Sequence, residues 1–191
     1  MAEIGTMCDS DGDGSAGAAT RVFYAEGIHA VGVDRIIAEA GVTRVTFYRH
    51  FPSKEDLIQA YLSAHDAEIR AHVGARIAAA RDPRAAVSAM MGSLGTAICA
   101  PGFRGCAFIN AAAEYPDPAQ PIAKLVAGHR RWFRDTATDL LTSAGHPDPA
   151  GTAALLLMVR YGAMVGGYLD DAETVRANLS RAVDTLLPSD G

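Results

Sequence analysis

Between Val33 and Phe51 the chain holds two short helical patterns separated only by Gly41-Val42-Thr43, and few folds accept so abrupt a junction. Val33, Ile36, Ile37 and Ala40 recur at the spacing of one helix face, and Gly41 follows where a left-handed residue ends a helix. Thr43 is a hydroxyl N-cap for a second helix reaching to about His50, with Phe47 and Phe51 spaced i,i+4 toward a core. The small residues Ala38 and Ala40 permit a close, steep crossing with Val42 beneath it. This spacing predicts a helix-turn-helix, whose second helix can enter a DNA major groove with its N-terminal residues at base edges.

The rest of the chain continues the helical reading. Ala18, Ala19, Val22 and Phe23 mark a first helix from Ser15, stopped by Gly27. After Pro52, Ser53 and Asp56 make a capping-box-like start for a long helix to about Ala80. Ile58, Tyr61, Leu62, Ile69, Val73 and Ile77 form its apolar stripe. Asp82-Pro83 opens a fifth helix, closed by Ala100-Pro101-Gly102. Further helices are expected at about 104–114, 119–143, 150–169 and 172–187, set apart by proline-rich breaks. Period-two runs of β-branched residues are missing, so the fold class is all-α with about nine helices. The expected organisation is a tail at 1–14, a DNA-binding domain at 15–52, and an effector-binding and dimerisation domain at 53–191.

Residues 1–14 are small, polar and acidic, the composition of a disordered tail. Met7 within it offers a second possible start, which leaves open whether residues 1–6 are a leader. Asp9, Asp11, Asp13 and Gly14 match the opening of a calcium loop, yet Thr20 stands where that loop needs a bidentate Glu. The net charge of −5 at first argues against nucleic acid. However, residues 21–61 balance Arg21, Arg35, Arg44, Arg49 and Lys54 against Glu26, Asp34, Glu39, Glu55 and Asp56. An acidic total therefore leaves room for a local DNA-binding face, because affinity depends on where the cations point. Cys8, Cys99 and Cys106 are too few, and odd in number, for a disulfide framework, which indicates a reducing compartment. Arg160 interrupts the most apolar stretch, 153–169, and the N-terminus lacks a signal-peptide pattern. A cytoplasmic location without a membrane partner is expected.

On the second helix of the motif, Arg44, Val45, Thr46, Tyr48 and Arg49 face outward once Phe47 and Phe51 face in. Arg44 can read guanine through a bidentate contact, and Val45 or the Thr46 methyl can meet a thymine methyl. Thr43, Tyr48, His50 and Lys54 are better placed for phosphates. Lys54 also lies in the first turn of the fourth helix, where backbone N–H groups add to anion binding.

The run VGVDRIIAEAGVTRVTFYRHFPSKEDLIQAYL resembles the DNA-binding signature of the TetR family, the tetracycline-repressor-like regulators, over about Ala18 to Leu62. The resemblance implies an Ω-shaped homodimer, usually a repressor, whose C-terminal domain often binds a small effector. It also implies DNA contacts at the positions matching Thr43, Arg44, Thr46, Tyr48, His50 and Lys54. Two features depart from the family pattern. Gly12-Asp13-Gly14-Ser15 stands where a basic helix opening is usual, which removes phosphate contacts. Gly32 stands where Ser or Thr often caps the second helix.

In the C-terminal part, Ala153 to Leu169 is apolar nearly all round, which a surface helix cannot be. Leu155, Val159, Gly162 and Gly166, with Val175, Leu179, Val183 and Leu186, suit a four-helix dimer interface, as a palindromic operator would require. A small apolar or amphipathic effector would sit among helices 4 to 8, lined by Met90, Met91, Phe103, Phe108, Asn110, Trp132, Met158 and Tyr161. Asn110 reads as a buried amide in need of partners. His65, His72 and His129 lack metal-ligand spacing. Cys99 and Cys106, across a Pro-Gly break, are either a redox pair or buried free thiols. A third alternative is a small-molecule-binding helical protein with a weak or lost DNA head. Nucleophile elbows, phosphate-binding glycine loops and zinc-helix pairs are missing, so neither enzymatic activity nor a cofactor is expected.

Overall fold

The computed structural model describes residues 15–187. The expectations placed on residues 1–14, including Cys8 and the Asp9-Asp11-Asp13 motif, lie outside the described residues. Within them the chain forms α1 (Ser15–Glu26), α2 (Val33–Ala40), α3 (Arg44–His50), α4 (Lys54–Ala78), α5 (Pro83–Ile98), α6 (Ala107–Glu114), α7 (Pro121–Ser143), α8 (Pro149–Leu169) and α9 (Ala172–Leu186), with no strand among them. The caps follow local chemistry. Asp82, Asp148 and Asp171 accept from the backbone N–H three residues on, at the heads of α5, α8 and α9. Pro83 and Pro149 occupy first-turn positions where a missing N–H costs nothing.

Packing divides the described chain into two compact units. The first takes the chain up to Asp66 together with Ala107–Ala127, and the second takes Ala67–Cys106 with Gly128 onward. The packing division thus falls inside α4. The reason is visible in the core of the first unit: Leu57, Ile58, Tyr61 and Leu62 of α4 are buried, and the Tyr61 ring meets Phe23 of α1 at 5.8 Å. The same unit gains α6, whose Phe108 ring stacks on His65 at 5.9 Å.

In the second unit, α5, α8 and α9 pack on one another. Buried Met90, Met91 and Ile98 of α5 share this core with Leu156 and Met164 of α8 and Leu179 and Val183 of α9. The contacts are close. A Cβ at Gly167 would run into Ile98 Cγ2, and one at Gly166 would lie 3.3 Å from Val175 Cγ2. Several sequence expectations change here. Leu179 and Val183 face their own unit, as do Gly166 and Val175, because α9 has one apolar stripe and α5 and α8 already cover it. By length and composition α8 could cross a membrane. Its Arg160 is nevertheless 2% exposed, turned into the unit beside His129.

Candidate nucleic-acid interface

The turn between α2 and α3 is built by three consecutive residues. Gly41 adopts φ +68°, and its N–H and that of Val42 both bond to the Ile37 carbonyl, closing the end of α2. A side chain at Gly41 would meet open space, so the left-handed backbone, not crowding, selects glycine. Thr43 is extended, and its Oγ1 accepts from the Thr46 N–H at 3.1 Å. Phe47 is fully buried and fixes the inward face of α3. Gly32 heads α2 without a side-chain cap. Ala38 is exposed and so does not form the close crossing, whereas Ala40 is half-buried.

The outward face of α3 carries the side chains that the motif predicts. Val45 is 82% exposed and Tyr48 is 41% exposed, its ring edge-on to Phe47. Arg44, Arg49 and His50 are exposed as well, and Thr46 is half-buried. Thr43 Oγ1 and Thr46 Oγ1 lie 3.0 Å apart, so the capping hydroxyl is already engaged. The Arg44 guanidinium is ion-paired with Asp34 of α2. Arg49, at the C-terminal turn of α3 beside His50, stands where a cation complements the negative end of the helix dipole. Lys54 opens α4 behind a reciprocal cap, in which Ser53 N–H donates to Asp56 at 3.0 Å and Asp56 N–H donates to Ser53 Oγ at 3.1 Å.

Behind this face a surface network ties α1 to α2. Arg35 pairs with Glu39 at 2.9 Å and with Glu26 at 3.5 Å, and Arg21 reaches Glu39 at 3.7 Å. The Glu39 hydrogen bond, with the Glu26 and Glu39 charges, raises the Arg35 pKa further above its ordinary value. A longer-range tie was not legible in the sequence. Glu114 at the end of α6 accepts from Ile28 N–H at 3.3 Å and His29 N–H at 2.6 Å, in the corner between α1 and α2. His29 also packs edge-on against Tyr115. Burial, with the Glu55 and Glu114 charges, raises the Tyr115 pKa.

The residues expected to line an effector site divide between the units. Phe108 and Asn110 belong to the first, and Met90, Met91, Phe103, Trp132, Met158 and Tyr161 to the second. Asn110 is exposed, not buried, because the short α6 turns Ala107, Phe108 and Ala111 inward and leaves Asn110 on its other side. Met158 is 67% exposed and faces away from the core of its unit. Met90 and Met91 are buried, and Phe103, Trp132 and Tyr161 are half-buried. Trp132 lies under Arg70 at 4.8 Å, and Tyr161 Oη accepts from Arg130 Nε at 2.6 Å. Cys99 and Cys106 are free thiols, with burial raising the Cys99 pKa. His129, considered above as a metal ligand, instead bonds Arg160 at 2.9 Å.

Comparison with known proteins agrees with this geometry. The family model described as bacterial regulatory proteins, tetR family, matches residues 17–61. The HTH-type transcriptional activator FasR of Mycolicibacterium smegmatis is 46% identical over 48 residues. That stretch is 25% of this chain and 22% of the activator, so the chain spans well under two thirds of that relative. SCO4454, a TetR-family transcriptional regulator from Streptomyces coelicolor, is 49% identical with a TM-score of 0.90, over 94% of this chain and 95% of its own. The reduced form of Escherichia coli NemR shares the fold at 16% identity, with a TM-score of 0.84 over 95% of this chain and 99% of its own. The chain belongs to the TetR family of DNA-binding transcriptional regulators.

Proposed function

We propose that the chain is a homodimeric repressor, released from a palindromic operator by a small apolar or amphipathic effector. The observation that carries the dimer is the outer face of α8. Leu155, Met158, Gly162, Val165 and Leu169 recur at alternating spacings of three and four residues, the seam of a paired helix. Leu155, Met158, Val165, Tyr168 and Leu169 are all large, apolar and exposed, whereas α9 turns its own apolar residues inward. Val159 is half-buried beside this seam, and Leu186 is half-buried at the end of α9. Two copies joined along α8 present two recognition helices, as a two-fold operator requires.

In each head, Arg44, Val45 and Thr46 read bases, while Thr43, Tyr48, His50 and Lys54 hold phosphates and Arg49 adds to the DNA-binding face. Residues 15–52 carry the reading surface of a head whose packing also draws on the start of α4 and on α6, and the effector and dimer surfaces lie after Pro52. An effector acts by binding one spacing of the two heads better than another, and shifts the equilibrium only by that difference. The protein would work in the cytoplasm, where its operator is. The thiols support a redox switch less well, since Cys106 is buried and burial holds Cys99 in its protonated form.

The decisive experiment selects bound DNA from a random pool and then measures transcription from the selected promoter with and without protein. A palindromic consensus and lowered transcription are expected. Recovery of unrelated sequences would remove the operator reading, and raised transcription would replace repressor by activator.

A further inference from the structure

We propose that Arg160 and His129 form the anion-binding end of an effector site in the second unit, and that the effector carries a carboxylate. The inference rests on the effector-responsive reading above and narrows its ligand from apolar or amphipathic to an apolar acid.

Arg160 stands mid-way along α8 and is 2% exposed. Its Nη2 donates to His129 Nε2 at 2.9 Å and approaches Cys106 Sγ at 3.7 Å. Arginine has no acceptor and stays charged in proteins, so His129 must accept through Nε2 and carry its proton on Nδ1. The nearest partners of the guanidinium are therefore a neutral imidazole and a thiol. The rings of Phe133 and Tyr161, with centroids at 5.1 and 5.9 Å, add the attraction of their π faces. None of these groups is a carboxylate, and Arg160 Nε is buried with no hydrogen-bond partner among the described residues.

Lone buried cations are costly, because they give up hydration that neutral neighbours replace only in part. A carboxylate would supply the missing charge and an oxygen to accept from Nε, in the planar geometry that a guanidinium matches. The surrounding side chains suit an apolar body on that acid. Trp132 lies 5.7 Å from His129 and 6.5 Å from Phe133, and both Trp132 and Tyr161 are half-buried. Every group in the cluster belongs to the second unit.

Trp132 is the single tryptophan of the chain, so its emission reports on this cluster alone. The test titrates the full-length protein with octanoate and phenylacetate and with their amides, following Trp132 fluorescence and operator retention in parallel. At least one acid is expected to change the emission with an affinity about tenfold or more above its amide, the worth of one charged hydrogen bond. Arg160→Met should abolish that preference, and Arg160→Lys should keep part of it. Should Arg160→Met fail to fold, the acid-to-amide ratio of the unaltered protein and the Arg160→Lys variant decide. Equal binding of acid and amide, no emission change with any probe, or an unchanged preference in Arg160→Met overturns the assignment. Amides that release operator as well as acids do would sink the carboxylate while sparing the effector-responsive reading. Acids that bind at Trp132 and leave the operator bound would do the reverse.

Discussion

Arg44, in the first turn of the recognition helix, is held by Asp34 in the first turn of the helix before it. Both side chains are mostly exposed, so water already screens the pair and its contribution to stability is small. The consequence for the base-reading role proposed for Arg44 is competition: a guanine edge would have to take Arg44 from Asp34. Asp34→Asn should therefore tighten operator binding by up to about fivefold, with the gain shrinking as salt rises. Arg44→Ala should lose about 1–3 kcal/mol and the base preference at one position of each half-site. Gel-shift titrations on operators altered at single positions measure both, and an Arg44→Ala protein with unchanged preference would remove Arg44 from the reading set.

The α8 seam makes a sharper claim about assembly than the sequence allowed. Met158→Glu places a charge on the outward face, where no contact within the protomer depends on Met158 burial. Sedimentation equilibrium should show monomers, with the helical circular dichroism of the protomer retained. Leu179→Glu should instead unfold the second unit, because that side chain is 4% exposed in its own core.

Gly167 measures how closely α8 and α5 approach. Alanine there collides with Ile98, whose side chain is buried and cannot swing aside. Gly167→Ala should cost about 1–3 kcal/mol of stability in denaturant titration. Gly162→Ala should be tolerated within a protomer, since nothing lies within 4 Å of the added carbon.

Asp82 caps α5, and the Ala85 N–H, followed by the charge of Arg81, holds its pKa below the ordinary 3.8. A lowered folded-state pKa stabilises the fold at pH above the unfolded value, and that contribution disappears as pH falls through the folded value. Thermal melts of the unaltered protein should thus lose stability below about pH 4, and Asp82→Asn, which caps without titrating, should lose less. Equal acid sensitivity in both proteins would show that other carboxylates dominate.

The head was largely legible because its determinants are local. Gly41, Thr43 and the Ser53–Asp56 pair each fix their backbone within a few residues, and the structure places all of them as their chemistry dictates. Orientation in the second unit was harder to read. A helix that is apolar all round has no polar face to point it, so Met158 read as lining although it faces out. Arg160 read as an interruption of an apolar run, since only the fold brings His129 to it across 31 residues. Glu114 gave no signal either, because its partners Ile28 and His29 lie more than eighty residues away.

That last tie bears on how the protein can be dissected. The surface proposed to face DNA is contiguous in sequence, but the body that holds it in shape is not: α6 returns to clasp the corner at Ile28 and His29 through one carboxylate. A fragment cut after Pro52 would carry every reading residue and still lack a wall of its own house. The smallest piece able to present the recognition helix therefore has to be stitched from two stretches of the gene.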